Sequence, residues 1–112
     1  MSIITSSNNG VFIVMPDARL DTNTSPEAEQ LIMAAIESGE NKIIIDFSKT
    51  DYISSSGLRV LLKTAKALKP KNGATALCNA NKQIHEVLEI SGFLGVLRAF
   101  DSLDDAMTFV NS

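Results

Sequence analysis

The chain has 112 residues, 45% of them hydrophobic and 21% charged, with a formal net charge of −3. That composition fits one globular domain over residues 1–112 and excludes both a disordered chain and the basic footprint of a nucleic-acid binder. One Cys excludes an internal disulfide or a zinc cluster, no apolar run nears the roughly 18 residues of a bilayer span, and no secretory leader is evident, so a reducing, cytoplasmic setting is expected.

In chain order, Ser2 to Ser7 and Val11 to Met15 read as strands. The Asn8-Asn9-Gly10 turn between them predicts a hairpin, because Asn and Gly tolerate positive φ. Pro16 to Thr24 reads as a loop. Ser25 is the expected cap of a first helix, with Pro26 at its first position, where a missing N–H costs nothing. Ala28, Leu31, Ile32, Ala35 and Ile36 recur at helical spacing up to Gly39. Lys42 to Phe47 carries the continuous run Ile43-Ile44-Ile45, the mark of a strand covered on both faces. After a loop from Ser48 to Ser54, a second helix is expected from about Ser55 to Lys69, stopped by Pro70. Ala74 to Asn79 reads as a strand, Asn81 to Ser91 as a helix, and Gly95 to Phe100 as the last strand. Ser102-Leu103-Asp104-Asp105 opens a final helix in a capping-box-like pattern. The order ββαβαβαβα predicts an α/β fold: a mostly parallel sheet of about five strands, an N-terminal antiparallel hairpin strand, and about four helices.

The usual catalytic patterns are missing. No Gly-x-Gly-x-x-Gly follows a strand, no phosphate-loop Gly-Lys-Ser/Thr occurs, and the single His85 cannot form a His-Glu-x-x-His pair. A hydrolytic serine would need a base and an oxyanion site, and no Gly-x-Ser-x-Gly elbow is present. Cys78, inside a strand, reads as a small apolar filler. No metal or cofactor is expected. Among the 13 carboxylates, Asp104 and Asp105 suit a helix start. Asp46 ends a strand-like segment, and Asp21 lies in the loop after the second strand. Carboxyl ends of parallel strands gather at one edge, so both are expected near the Ser54-Ser55-Ser56 cluster.

That cluster is the informative segment. Three serines in a row open the second helix, and Gly57 lets another backbone come close. A hydroxyl at the N-cap, the position expected of Ser55, lies beside unpaired N–H groups and the positive end of the dipole, so a phosphate placed on it would be held without unfolding the chain. At about 100° per residue, Leu58, Leu61, Leu62, Ala65 and Leu68 are the expected buried stripe. Arg59, Lys63 and Lys66 fall on the outer side, and Val60 is expected to be exposed beside Arg59 as part of a contact patch.

Ile43-Ile44-Ile45-Asp46-Phe47-Ser48 followed by Tyr52-Ile53-Ser54-Ser55-Ser56-Gly57-Leu58 resembles the signature of STAS domains (sulfate transporter and anti-sigma factor antagonist). Ala18-Arg19-Leu20-Asp21 is similar to the family's Gly-x-Leu-Asp. The resemblance implies a stand-alone antagonist that works by partner switching. The unmodified protein binds an anti-sigma factor that is also a serine kinase, which frees a sigma factor. Phosphorylation on the first Ser of Asp-Ser-Ser-Gly, here Ser55, weakens the complex, and a serine phosphatase restores it. Ser56 matches the second Ser, and Asp21 and Asp46 match residues bordering the site. The sequence departs from the family at two places. Ser54 stands where the family has Asp, which makes Ser54 a rival acceptor beside Ser56, and Ala18 stands where it often has Gly. The expected contact surface comprises Asp21, Asp46, Ser54, Ser56, Gly57, Arg59, Val60 and Lys63. The alternative implied by the same family is a regulatory or scaffold subunit that is never phosphorylated, as in a membrane transport complex. Neither reading involves an enzyme, nucleic acid or insertion into a membrane.

Overall fold

A computed structural model describes residues 3–112. Ser2, at the start of the expected first strand, lies outside the described residues. In chain order the elements are β1 (Ile4–Asn8), β2 (Val11–Met15), β3 (Arg19–Leu20), α1 (Ser25–Glu37), β4 (Lys42–Asp46), β5 (Tyr52–Ile53), α2 (Ser55–Leu68), β6 (Ala74–Cys78), α3 (Lys82–Ile90), β7 (Arg98–Phe100) and α4 (Leu103–Val110). Asn9 and Gly10, with φ of 52° and 78°, turn the chain between β1 and β2. Positive φ at both positions matches the right-handed strand twist, as the Asn-Gly pair requires.

Five strands form one sheet in the order β1-β2-β4-β6-β7, antiparallel at the hairpin and parallel elsewhere. Alternation along β4 explains its apolar run. Ile43 and Ile45 face one side with Leu77, where α1, α2 and α3 supply Ile32, Leu61 and Ile84. Ile44 faces the other with Ala76 and Cys78, under Ala106 and Val110 of α4. Three helices therefore cover one face and α4 the other, so every central strand is apolar on both sides. Among the described residues, no helix is long and apolar enough to cross a membrane.

Three expectations are corrected. First, Ser25 does not cap α1. Thr24 holds the cap position and Ser25 is the first helical residue, buried at 4% exposure. Second, the loops at 16–24 and 48–54 each contain a two-residue strand, β3 and β5, which pair in parallel as a separate small sheet. Third, the strand expected from Gly95 begins at Arg98; Phe93–Gly95 is a single 3₁₀ turn opened by Gly92 at φ 76°.

Candidate functional site at the start of α2

The small β3–β5 sheet sets the entry to α2. The pairing of Leu20 with Ile53 continues as the Ser54 N–H donates to the Leu20 carbonyl at 3.0 Å. Ser54 then leaves the extended region (φ −100°, ψ 178°), and its carbonyl accepts the first helical hydrogen bond from Leu58 N–H at 2.9 Å. Its hydroxyl accepts a long bond from Gly57 N–H at 3.4 Å. Ser54 is thus the N-cap, and Ser55, expected to cap the helix, is its first residue. Ser and Asp are equally good caps, so the departure from the family's Asp keeps the local structure.

The three hydroxyls differ in their surroundings. Ser54 is half-buried and committed to the cap. Ser56 is half-buried and shares a hydrogen bond with Thr22 Oγ1 at 3.3 Å. Ser55 is exposed, on the first turn of a helix with no acidic residue there. Gly57 is buried because α2 comes down on β3: a Cβ there would lie 2.6 Å from the Leu20 carbonyl oxygen and 2.7 Å from the Ile53 side chain. It lets the two backbones approach closely.

Asp21 organises the loop between β3 and α1. Its Oδ1 accepts from the N–H groups of Asn23 (3.0 Å) and Thr24 (3.2 Å), and its Oδ2 pairs with Arg19 Nε at 3.0 Å. The Arg19 hydrogen bond is the main force holding this carboxyl below the usual carboxylate range. Partial desolvation opposes it, and the two backbone donors reinforce it. Arg19 also lies over the ring of Tyr52, 4.2 Å from its centroid, as its direct neighbour across the β3–β5 pair. Arg19, Thr22 and Tyr52 border the site and were missed from sequence. The two-residue spacing of Arg19 and Asp21, which places both on one face of a strand, was the available signal for the first.

Asp46 and Val60 are corrected as offered contacts. Asp46 is 3% exposed at the end of β4, where its Oδ1 accepts from Ser48 N–H (2.9 Å) and Asn79 Nδ2 (3.1 Å). It braces the ends of β4 and β6, and no hydrogen bond or ion pair joins it to Asp21 or the serines. Val60 is 2% exposed, because α1 packs beside α2 and covers that face. The buried stripe of α2 is Gly57, Val60, Leu61, Thr64 and Leu68, rotated from the one expected. Val60 and Met33 lie in a cleft of about 580 Å³ between α1 and α2, with Thr22, Ser56, Arg59 and Lys63 also lining it. Lys63 is exposed and bridges to Glu29 of α1 at 3.1 Å. Arg59 is exposed and, among the described residues, makes no ion pair, hydrogen bond or ring contact.

His85 is exposed on α3, and no contact ties it to the serines. Among the described residues, no group of three or more His, Cys, Asp or Glu is placed to hold a metal. The arrangement offers an exposed hydroxyl on a rigid helix start, bordered by cations and aromatic surface. Such a hydroxyl suits modification or recognition; among the described residues, no hydrogen bond joins it to a base.

The profile of the STAS domain family matches residues 2–106. A Bordetella bronchiseptica protein, BtrV, provisionally named an anti-sigma factor antagonist, is 32% identical over 106 residues, covering 95% of this chain and 91% of that protein. An anti-sigma F factor antagonist from Paenibacillus polymyxa is 29% identical over 102 residues, 90% of this chain and 87% of its own. Among solved structures, a Thermotoga maritima protein with the same provisional designation superposes with a TM-score of 0.93 at 22% identity, over 98% of this chain and 95% of that one.

Proposed function

The chain belongs to the STAS domain family, and from that premise we propose that it is an anti-sigma factor antagonist working by partner switching. The unmodified protein binds an anti-sigma factor that is also a serine kinase, and so releases a sigma factor. The kinase transfers the γ-phosphoryl of ATP to Ser55: a bond forms from Oγ to phosphorus, the bond to ADP breaks, and the hydroxyl proton leaves to a base on the kinase. A serine phosphatase reverses the step by hydrolysis. The protein itself is a binding module of the cytoplasm and not an enzyme.

One observation carries this reading: of three adjacent serines, Ser55 alone is exposed, while Ser54 caps α2 and Ser56 is tied to Thr22. Added phosphate brings about −1.5 to −2 charges to one surface spot and meets no acidic side chain in the first turn. Contact with the partner falls to Ser54, Ser56, Arg59 and Lys63 around that spot, with Asp21 shaping the neighbouring loop. Asp46, Gly57 and Val60 support that surface from beneath.

Incubation with the kinase of the native host and ATP, followed by phosphosite mapping, tests the assignment. Phosphate at Ser55, abolished in Ser55→Ala with partner binding retained, is the expected result. Phosphate confined to Ser54 or Ser56, or none, would sink it; in the last case, recovery of membrane transport components from the host would favour the unphosphorylated scaffold.

A further inference from the structure

We propose that Arg59 is the built-in counter-ion of a phosphate on Ser55, closing on it from one turn further along α2. The inference rests on the reading of Ser55 as acceptor and adds a residue to it. Ser55 and Arg59 are four apart on one helix, so their Cβ atoms are neighbours at about 5–6 Å. Both side chains are exposed. The other two cations bordering the site are committed: Arg19 to Asp21 and the Tyr52 ring, Lys63 to Glu29. Among the described residues, Arg59 has no such partner.

A guanidinium presents a planar fork that matches two phosphate oxygens, and a charge-assisted pair of this kind is stronger than a neutral one. The N–H groups of Ser55 and Ser56, in the first turn of α2, have no intrahelical acceptor and point the same way. The phosphate is therefore held by its own helix. Two determinants of the outer face then change together: a dianion appears, and the Arg59 guanidinium is withdrawn from any partner that would have used it. An Arg pointing at a partner in the unmodified state becomes an internal ligand in the modified one.

The test needs no kinase. Phosphoserine is installed at position 55 during translation, and the second phosphate ionisation is followed by phosphorus NMR across pH in the otherwise unchanged protein, in R59Q and in K63Q. The ordinary midpoint is about 6. Capture by Arg59 lowers it, so R59Q should raise it by about 0.3 pH unit or more, the upper part of what one exposed i,i+4 charge pair gives, as a bidentate pair to a dianion requires, while K63Q leaves it in place. A smaller rise in R59Q, or an equal rise in K63Q, overturns the proposal. Melting of unphosphorylated R59Q, expected to match the parent because Arg59 makes no ion pair or hydrogen bond among the described residues, guards against a misfolded variant. Phosphosite mapping to another serine would sink the acceptor assignment while leaving this titration intact, so the two failures are distinguishable.

Discussion

The start of α2 is decided by individual atoms. Gly57→Ala sets two effects against each other: Ala is favoured over Gly in a helix by roughly 1 kcal/mol, but the new Cβ would stand 2.6 Å from the Leu20 carbonyl. That atom is backbone and cannot swing aside, so overpacking of about 1–3 kcal/mol wins. Urea denaturation of Gly57→Ala should show net destabilisation; an unchanged midpoint would mean that β3 is free to move. Ser54 and Ser55 separate cleanly in the same assay. Ser54→Ala loses the cap and should cost about 1 kcal/mol, whereas Ser55→Ala removes an exposed hydroxyl and should stay within about 0.5 kcal/mol. Asp21 adds a pH dependence. Its folded pKa lies below its ordinary value of 3.8, so its support is complete above that value and is lost as pH falls through the lowered folded one. Asp21→Asn should flatten the acid limb of a stability-against-pH curve below roughly pH 4; an unaltered acid limb would contradict the Arg19 pairing.

At the scale of elements, the helices and long strands were legible because burial imposes a period. The run Ile43-Ile44-Ile45 announces a strand covered on both faces, and the sheet buries all three. β3 and β5 were not legible, since two residues carry no period. They exist because the Leu20 carbonyl and the Ser54 N–H meet across the gap. That pair gives the cap to Ser54, while the helix itself starts at Ser55 as expected. The face of α2 was misread for a related reason. Leucines suggested one stripe, but the helix is covered from the sheet and from α1 together. Gly57 and Thr64, neither of them apolar markers, occupy buried positions; the Thr64 hydroxyl is satisfied by the Val60 carbonyl at 2.8 Å. Val60→Asp distinguishes the two faces. On an outward patch it would be tolerated, whereas at 2% exposure beneath α1 an unpaired carboxylate should cost about 3–5 kcal/mol. A circular-dichroism melt little changed from the parent would restore Val60 to the surface.

For the molecule as a whole, a switch that acts by surface charge needs an interior that does not respond, and Cys78 reports on that interior. It lies at the end of β6 on the face covered by α4, with no exposed surface. Burial, and then the neighbouring Asp46 charge, push its thiol up to about 12. At neutral pH it is both shielded and protonated, and the thiolate is the reactive form. Alkylation must therefore wait for the sheet to open. If opening is global, a domain stable by about 5 kcal/mol or more labels at least on the order of a thousandfold slower than an unfolded thiol, and labelling accelerates with urea along the slope of equilibrium unfolding. The same rates should hold with phosphoserine at position 55, because the modification sits on the opposite helical layer and at the surface. Fast labelling in the native protein would show that the β4–β6 centre opens without global unfolding, and labelling that accelerates severalfold on phosphorylation would show that modification loosens that centre and acts through the fold rather than through charge.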